Sequence, residues 1–252
     1  GGQRLGWLSP LILGALGSFV ALMIVFVWWE LRAPSPIMDM RLFKRRLFTF
    51  GVSASYLSFV GMSSVRFLMP FYLQAVLGFS PLQVGLMIVP SASMMIIMGP
   101  LSGRLSDRFG VRLFTVGGMA VTMSGLIVLS TLTPSSSFIL AMVGMTMQSF
   151  GVGTFNAPNN SSILSVVEQS KYGVISGFLN LVRNSGNLTS IAVATVIVTA
   201  SMASMGYPPS LAEVSVDSDP GLIAAFTSGL SLAFRFMSGF IFIAIVAPYF
   251  KG

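Results

Sequence analysis

Arg183 lies inside a long apolar run, with Asn180 three residues before it and Asn184 and Asn187 one and four residues after. On a helix the spacing i, i+3, i+4, i+7 puts all four on one face, a stripe of hydrogen-bonding groups carrying one fixed positive charge. Such a stripe suits two tasks: lining a polar substrate cavity, or hydrogen-bonding across to neighbouring helices. The placement of Arg183 near the start of its run favours packing at the inner end. Arg66 and Arg235 also fall inside apolar runs. A charge in hydrocarbon costs at least a few kcal/mol, so each is expected to face a bundle interior or a water-filled cavity. Both are read as lying toward the outer leaflet, where a long side chain can also snorkel to the interface.

What the chain lacks narrows the chemistry further. It contains no Cys and no His, which excludes a disulfide framework, a Cys/His metal site, and catalysis by a Cys or His nucleophile or base. No metal, no cofactor and no enzymatic activity are expected. No Asp or Glu lies clearly within an apolar run, so these residues supply no intramembrane carboxylate of the kind proton coupling uses.

The elements that must position these residues are membrane helices. Charged residues make up 8% of the 252 and hydrophobic ones 54%, and the mean hydropathy is +0.86. A soluble domain usually carries about 25% charge. Seven apolar stretches, near 11–30, 48–73, 82–102, 113–132, 138–158, 174–202 and 223–248, are each long enough to cross roughly 30 Å of hydrocarbon. The short alternating segments of a membrane β-barrel do not occur, so the fold class is an all-α polytopic membrane protein.

The net charge of +7 is organised for a bilayer and not for nucleic acid. Arg32, Arg41, Lys44, Arg45, Arg46, Arg104, Arg108, Arg112, Lys171 and Lys251 all fall on one side of the predicted spans. The opposite loops, 74–81, 133–137 and 203–222, hold no Lys or Arg, and only Arg4 lies on that side. By the positive-inside rule the N-terminus of this segment faces out and the C-terminus faces the cytoplasm, in the cell membrane. Membrane lipid is one partner. Pro34 and Pro36 interrupt the helical pattern, and Arg41–Arg46 reads as a short amphipathic piece on the inner surface, which divides the chain into 1–30, a basic linker 31–47, and 48–252. The last part holds six spans, the number two three-helix units would supply. The chain opens Gly1-Gly2-Gln3 with neither an initiator Met nor a signal peptide, and is expected to be a piece of a longer protein.

The sharpest motif is Gly103-Arg104-Leu105-Ser106-Asp107-Arg108-Phe109-Gly110-Val111-Arg112. Gly110 suits a tight turn, Asp107 can accept from a helix N-terminus or pair with Arg, and Arg108 and Arg112 hold the inner surface. It resembles the G-x-L-x-D-R-x-G-x-R/K loop of the major facilitator superfamily, which follows the second helix of each six-helix half on the cytoplasmic side. Pro34–Phe43, Pro70–Gln74, Gly78–Gly85, Gly151–Pro158 and Ser176–Asn180 further resemble the fourteen-helix drug/proton antiporters of that superfamily.

The resemblance implies that 1–30 is the last linker helix and 48–252 the C-terminal six-helix half of a multidrug efflux permease. It implies alternating access, small-molecule substrates, and protons coupled through the absent N-terminal half. It points to Tyr72, Gln74, Gln148, Asn180, Asn184 and Asn187 as cavity contacts, with Arg183 on the same face. Gly103, Arg104, Asp107, Arg108, Gly110 and Arg112 would form the inner gate. Two rival readings are an organic-anion carrier using the intramembrane arginines and a non-transporting scaffold subunit. Gly99/Gly103 and Gly173/Gly177 have the small-xxx-small spacing that brings helices together. Asn156, Asn159 and Asn160 around Pro158 are expected to cap or break the fifth span. The methionine clusters, Met94-Met95 and Met142/Met145/Met147, serve either as gap fillers or as a compliant ligand surface.

Overall fold

The structure, a computed structural model, describes residues 40–216 and 218–246, with isolated helical positions between 10 and 29. The first predicted span and most of the 31–47 linker therefore lie outside the described residues. A 3-10 turn, Met40–Lys44, leads into α1 (Arg46–Phe71), which continues as a π-helical turn, Tyr72–Val76. Then follow α2 (Pro81–Phe109), α3 (Val111–Leu129), α4 (Phe138–Leu164), α5 (Tyr172–Ser204) and α6 (Pro220–Val246). All six are long and apolar enough to cross a membrane. The chain is a multi-pass helical membrane protein.

Local chemistry sets the helix ends. Ser80 accepts from the Gln83 amide at 3.4 Å while the Gln83 side chain accepts from the Ser80 amide at 2.9 Å, with Pro81 in the first helical position. Ser137 caps α4 by accepting from the Ile139 amide. α2 outruns its apolar stretch and ends only at Gly110, whose φ of +93° suits a residue without a Cβ. The motif predicted as a loop is thus mostly the last turns of α2, with Arg112 in the first turn of α3. α4 likewise passes through Pro158 to Leu164, so the three asparagines around Pro158 do not terminate it. Membrane helices carry proline when neighbours satisfy the freed backbone groups.

The helices pack as two equivalent triplets. α1 contacts α4, α5 and α6; α4 contacts α1, α2 and α3; α3 meets α6. Exchanging 1 with 4, 2 with 5 and 3 with 6 maps these contacts onto one another, while a minor α1–α3 contact falls outside the pattern. Three crossings per triplet make the second run opposite to the first, the arrangement of an inverted repeat. The core lies between α1, α3, α4, α5 and α6, around Leu68, Tyr72, Leu126, Phe226 and Phe234. A smaller cluster, including Phe48, Ile163 and Ile175, closes the basic end under the Phe43–Phe48–Phe178 ring contacts.

The tightest seam joins α3 to α4. A Cβ placed on Gly151 would collide with the Gly118 carbonyl oxygen, and one on Gly125 would stand 2.6 Å from the Gln148 backbone nitrogen. The two backbones touch, as small residues allow in a membrane where packing replaces the hydrophobic effect between helices. The spacing-based expectation for the other glycines is corrected here. Gly99, Gly173 and Gly177 have nothing within 4 Å of an added Cβ, and Gly103 only Ala157 at 3.7 Å. A four-residue spacing fixes a shared helix face but not which neighbour that face meets.

Candidate functional site

Half of the apolar stretch is buried in α1 and in α4, against 39% in α6, 28% in both α3 and α5, and 11% in α2. α2 and α5 border one of the faces that this chain leaves open. A cavity of about 360 Å³ sits on that face, walled by α1, α2, α4 and α5. Its α1 wall is Phe59, Met62, Ser63, Arg66, Met69 and Pro70, a single stripe at helical period. α2 adds Ser91 and Met95, α4 adds Met145, Gln148, Ser149 and Asn156, and α5 adds Arg183 and Asn187.

Three polar contacts brace the wall. Ser63 Oγ donates to Asn187 Oδ1, tying α1 to α5. Gln148 Nε2 donates to the Met62 carbonyl at 3.3 Å, tying α4 to α1, and Ser149 Oγ donates to Gln148 Oε1 at 3.4 Å. The Arg183 guanidinium lies 5.8 Å from the centroid of the Phe59 ring, within cation–π range. α1 is irregular beside this wall. Pro70 has no amide to offer the Arg66 carbonyl, and the Tyr72–Val76 π-turn follows at once. Both arginines on the wall are exposed, and among the described residues no Asp or Glu lines the cavity.

The structure distributes the predicted cavity residues unevenly. Gln148, Arg183 and Asn187 stand on the cavity wall. Asn180 and Asn184 are exposed on α5 and bond to each other, Nδ2 to Oδ1 at 3.2 Å, off the lining. Tyr72 is fully buried and its hydroxyl donates to the Thr133 carbonyl at 2.8 Å, away from the cavity. Gln74 borders a separate groove between the end of α1 and residues 214–216. Arg66, read from the sequence as facing a bundle interior or a water-filled cavity, lines it; Ser63, Ser91, Ser149 and Asn156 belong to the lining without having been singled out for it, and the period of Phe59, Met62, Ser63, Arg66 and Met69 was the available signal. Arg235 sits near the middle of α6, exposed and outside the cavity, not toward the outer end.

The Gly103–Arg112 motif occupies the basic end, away from this wall. Arg104, Asp107 and Arg108 are exposed along the last two turns of α2, and among the described residues Asp107 makes no ion pair. Gly103 is only in ordinary contact with Ala157 of α4, and the neighbouring Ser102 hydroxyl, donating to the Gly153 carbonyl at 3.1 Å, ties α2 to α4 there. Asn159, which is buried, donates from Nδ2 to Ser55 Oγ at 2.7 Å and to the Gly51 carbonyl at 3.4 Å, a clamp between α4 and α1.

Comparisons with known proteins agree with this architecture. A profile of the Major Facilitator Superfamily matches residues 2–191. The lincomycin resistance protein LmrB of Listeria innocua is 26% identical over 231 residues, 92% of this chain and 48% of LmrB. The riboflavin transporter RibZ of Clostridioides difficile is 31% identical over 155 residues, 62% of this chain and 34% of RibZ. The multidrug resistance protein Stp of Mycobacterium tuberculosis is 28% identical over 199 residues, 79% of this chain and 37% of Stp. The chain spans less than half the length of each of these relatives. With the profile covering most of the sequence and six membrane-length helices packed as two triplets, the chain belongs to the major facilitator superfamily.

Proposed function

We propose that this chain is the C-terminal half of a secondary active transporter that exports drugs or other small hydrophobic molecules by alternating access. Residues 1–30 are then the last linker helix, 31–47 the cytoplasmic basic linker and 48–252 the six-helix half, in the cell membrane with its C-terminus cytoplasmic. The observation that carries the reading is the cavity on the face that α2 and α5 leave unburied. A second six-helix half laid on that face would close the cavity, and rocking of the halves would open it to each side in turn. The relatives named for lincomycin and multidrug resistance support export of drugs. Positive residues at one end support a cytoplasmic placement of the Gly103–Arg112 motif, which acts as the inner gate. Coupling is to protons, and since no carboxylate lines this cavity among the described residues, the titrating group is assigned to the other half.

Inside-out vesicles carrying the full-length protein test this. With an acid lumen they are expected to accumulate at least one of a set of neutral, cationic and anionic fluorescent dyes, and nigericin should abolish the uptake. Asp107→Asn is expected to slow that uptake at least tenfold while leaving dye binding unchanged. Absence of any protein-dependent flux in the whole set would remove the transport reading.

A further inference from the structure

We propose that the cavity selects an amphiphilic organic anion, its carboxylate, sulfonate or phosphate seated on Arg66 and its apolar body against the methionines. The proposal rests on the transport reading above and adds the class of substrate.

Charge is the first argument. Two guanidiniums stand on the cavity wall, and among the described residues no acidic side chain faces them. Each costs a few kcal/mol at membrane depth, and a bound anion is one group that would offset that cost from the cavity side.

The second argument is how differently the two are held. α1 presents Phe59, Ser63 and Arg66 in successive turns toward Arg183 and Asn187 of α5. The lower two rungs are filled: Arg183 lies over the Phe59 ring, and Ser63 bonds Asn187. Arg66, the next rung, has no partner among the described residues. Its planar fork matches a carboxylate or phosphate with two parallel hydrogen bonds. Arg183, about 10 Å lower along the wall by helical rise, extends the positive potential without competing for the same group.

The remaining lining suits the rest of such a molecule. Half-buried Met95, with the edges of the otherwise buried Met62, Met69 and Met145, gives the cavity a soft apolar lining that suits apolar bodies of varied shape. Ser91, Ser149 and Asn156 supply neutral hydrogen-bonding groups and no negative charge.

The full-length protein tests this with two dyes sharing a xanthene body, carboxyfluorescein (anionic) and rhodamine 123 (cationic), by fluorescence anisotropy in nanodiscs. Wild type should bind carboxyfluorescein at least tenfold more tightly than rhodamine 123. Arg66→Gln should erase that preference, Arg66→Lys should keep part of it, and Arg235→Gln, outside the cavity, should leave it intact. If Arg66→Gln does not fold, the wild-type preference and the Lys variant still decide. A wild-type preference for rhodamine 123, or anion binding untouched in a folded Arg66→Gln, overturns the proposal. Arg66 would then pair with a carboxylate elsewhere in the full chain, and transport of the cation would stand. Failure of the whole dye set in the vesicle assay is a separate result, which removes the transport reading as well.

Discussion

The seam between α3 and α4 and the face walled by α1, α2, α4 and α5 share one helix and use it in opposite ways. Along the seam, Gly118 and Gly125 bring α3 onto Gly144 and Gly151 of α4 until backbone meets backbone, and Thr122 turns its hydroxyl back onto its own helix at the Gly118 carbonyl, 2.9 Å away. On the other face polar side chains border an open cavity, and two of them are cations without a polar partner on the wall. In a bilayer the apolar groups gain little by meeting one another, so helices are held by close packing and by satisfied polar atoms. The contrast therefore separates what holds this half together from what it offers to something else.

The seam should be the more fragile region. In Gly151→Leu the new Cβ would meet the Gly118 oxygen and the Thr122 amide within 2.5 Å, and both belong to backbone that cannot step aside. Overpacking of this kind costs about 1–3 kcal/mol, and more where backbone has to part. The expected result is loss of monodisperse protein in detergent, seen by size exclusion and a thermal melt. The matching substitution on the open side, Gly173→Leu, meets nothing within 4 Å and should leave the melt unchanged. Equal damage from the two would erase the distinction.

The polar contacts between α1 and α4 sharpen the comparison, since both begin on α4 and only one reaches the cavity. Asn159 is buried and bonds both Ser55 and Gly51. Asn159→Leu should destabilise by about 1–2 kcal/mol, in the upper part of the range for interhelical hydrogen bonds, because it also strands the Ser55 hydroxyl. Gln148 makes a single bond to α1, to the Met62 carbonyl at 3.3 Å, and borders the cavity. Gln148→Leu should cost less than about 1 kcal/mol of stability yet change dye affinity in the full-length protein. A melting shift for Gln148→Leu as large as that for Asn159→Leu would place both residues in the scaffold.

Hydropathy was enough to read the six spans, because a membrane helix must present about twenty apolar residues whatever its neighbours. Ends were harder. α2 and α4 continue as helix through Ser106-Asp107-Arg108 and Asn159-Asn160, where polarity suggests a loop but nothing breaks the hydrogen-bond ladder. Pair spacing misled for Gly99, Gly173 and Gly177, since it carries no information on which helix lies opposite. On α5 the stripe from Asn180 to Asn187 was visible in sequence, but only Arg183 and Asn187 reach the cavity lining. Tyr72 has a polar tip that could have served a ligand; the fold spends it on Thr133. Arg66 showed as an intramembrane charge on one stripe with Ser63 and Met69, but that Arg183 and Asn187 of α5 fill the Phe59 and Ser63 rungs beside it emerges only when α1 and α5 are seen side by side.

The smallest effect is expected far from both regions, in the loop between α5 and α6. Tyr207 donates its hydroxyl to Asp219 Oδ2 at 3.0 Å, and the same carboxylate oxygen accepts from the Gly221 amide at 3.1 Å at the start of α6. The Asp219 bond, with smaller contributions from burial and from the carboxylate's charge, raises the Tyr207 pKa above the ordinary 10.0. A group whose folded-state pKa is raised contributes fully below its unfolded pKa and loses that contribution as pH climbs through the folded one. Tyr207→Phe should therefore lower the melting temperature slightly at pH 7, and the gap to wild type should close above pH 10 as the phenolate forms and repels Asp219. The hydroxyl is exposed, so salt should not remove the effect but should soften the repulsion. A gap unchanged by pH would mean that Tyr207 acts through ring packing and that Asp219 caps α6 without it.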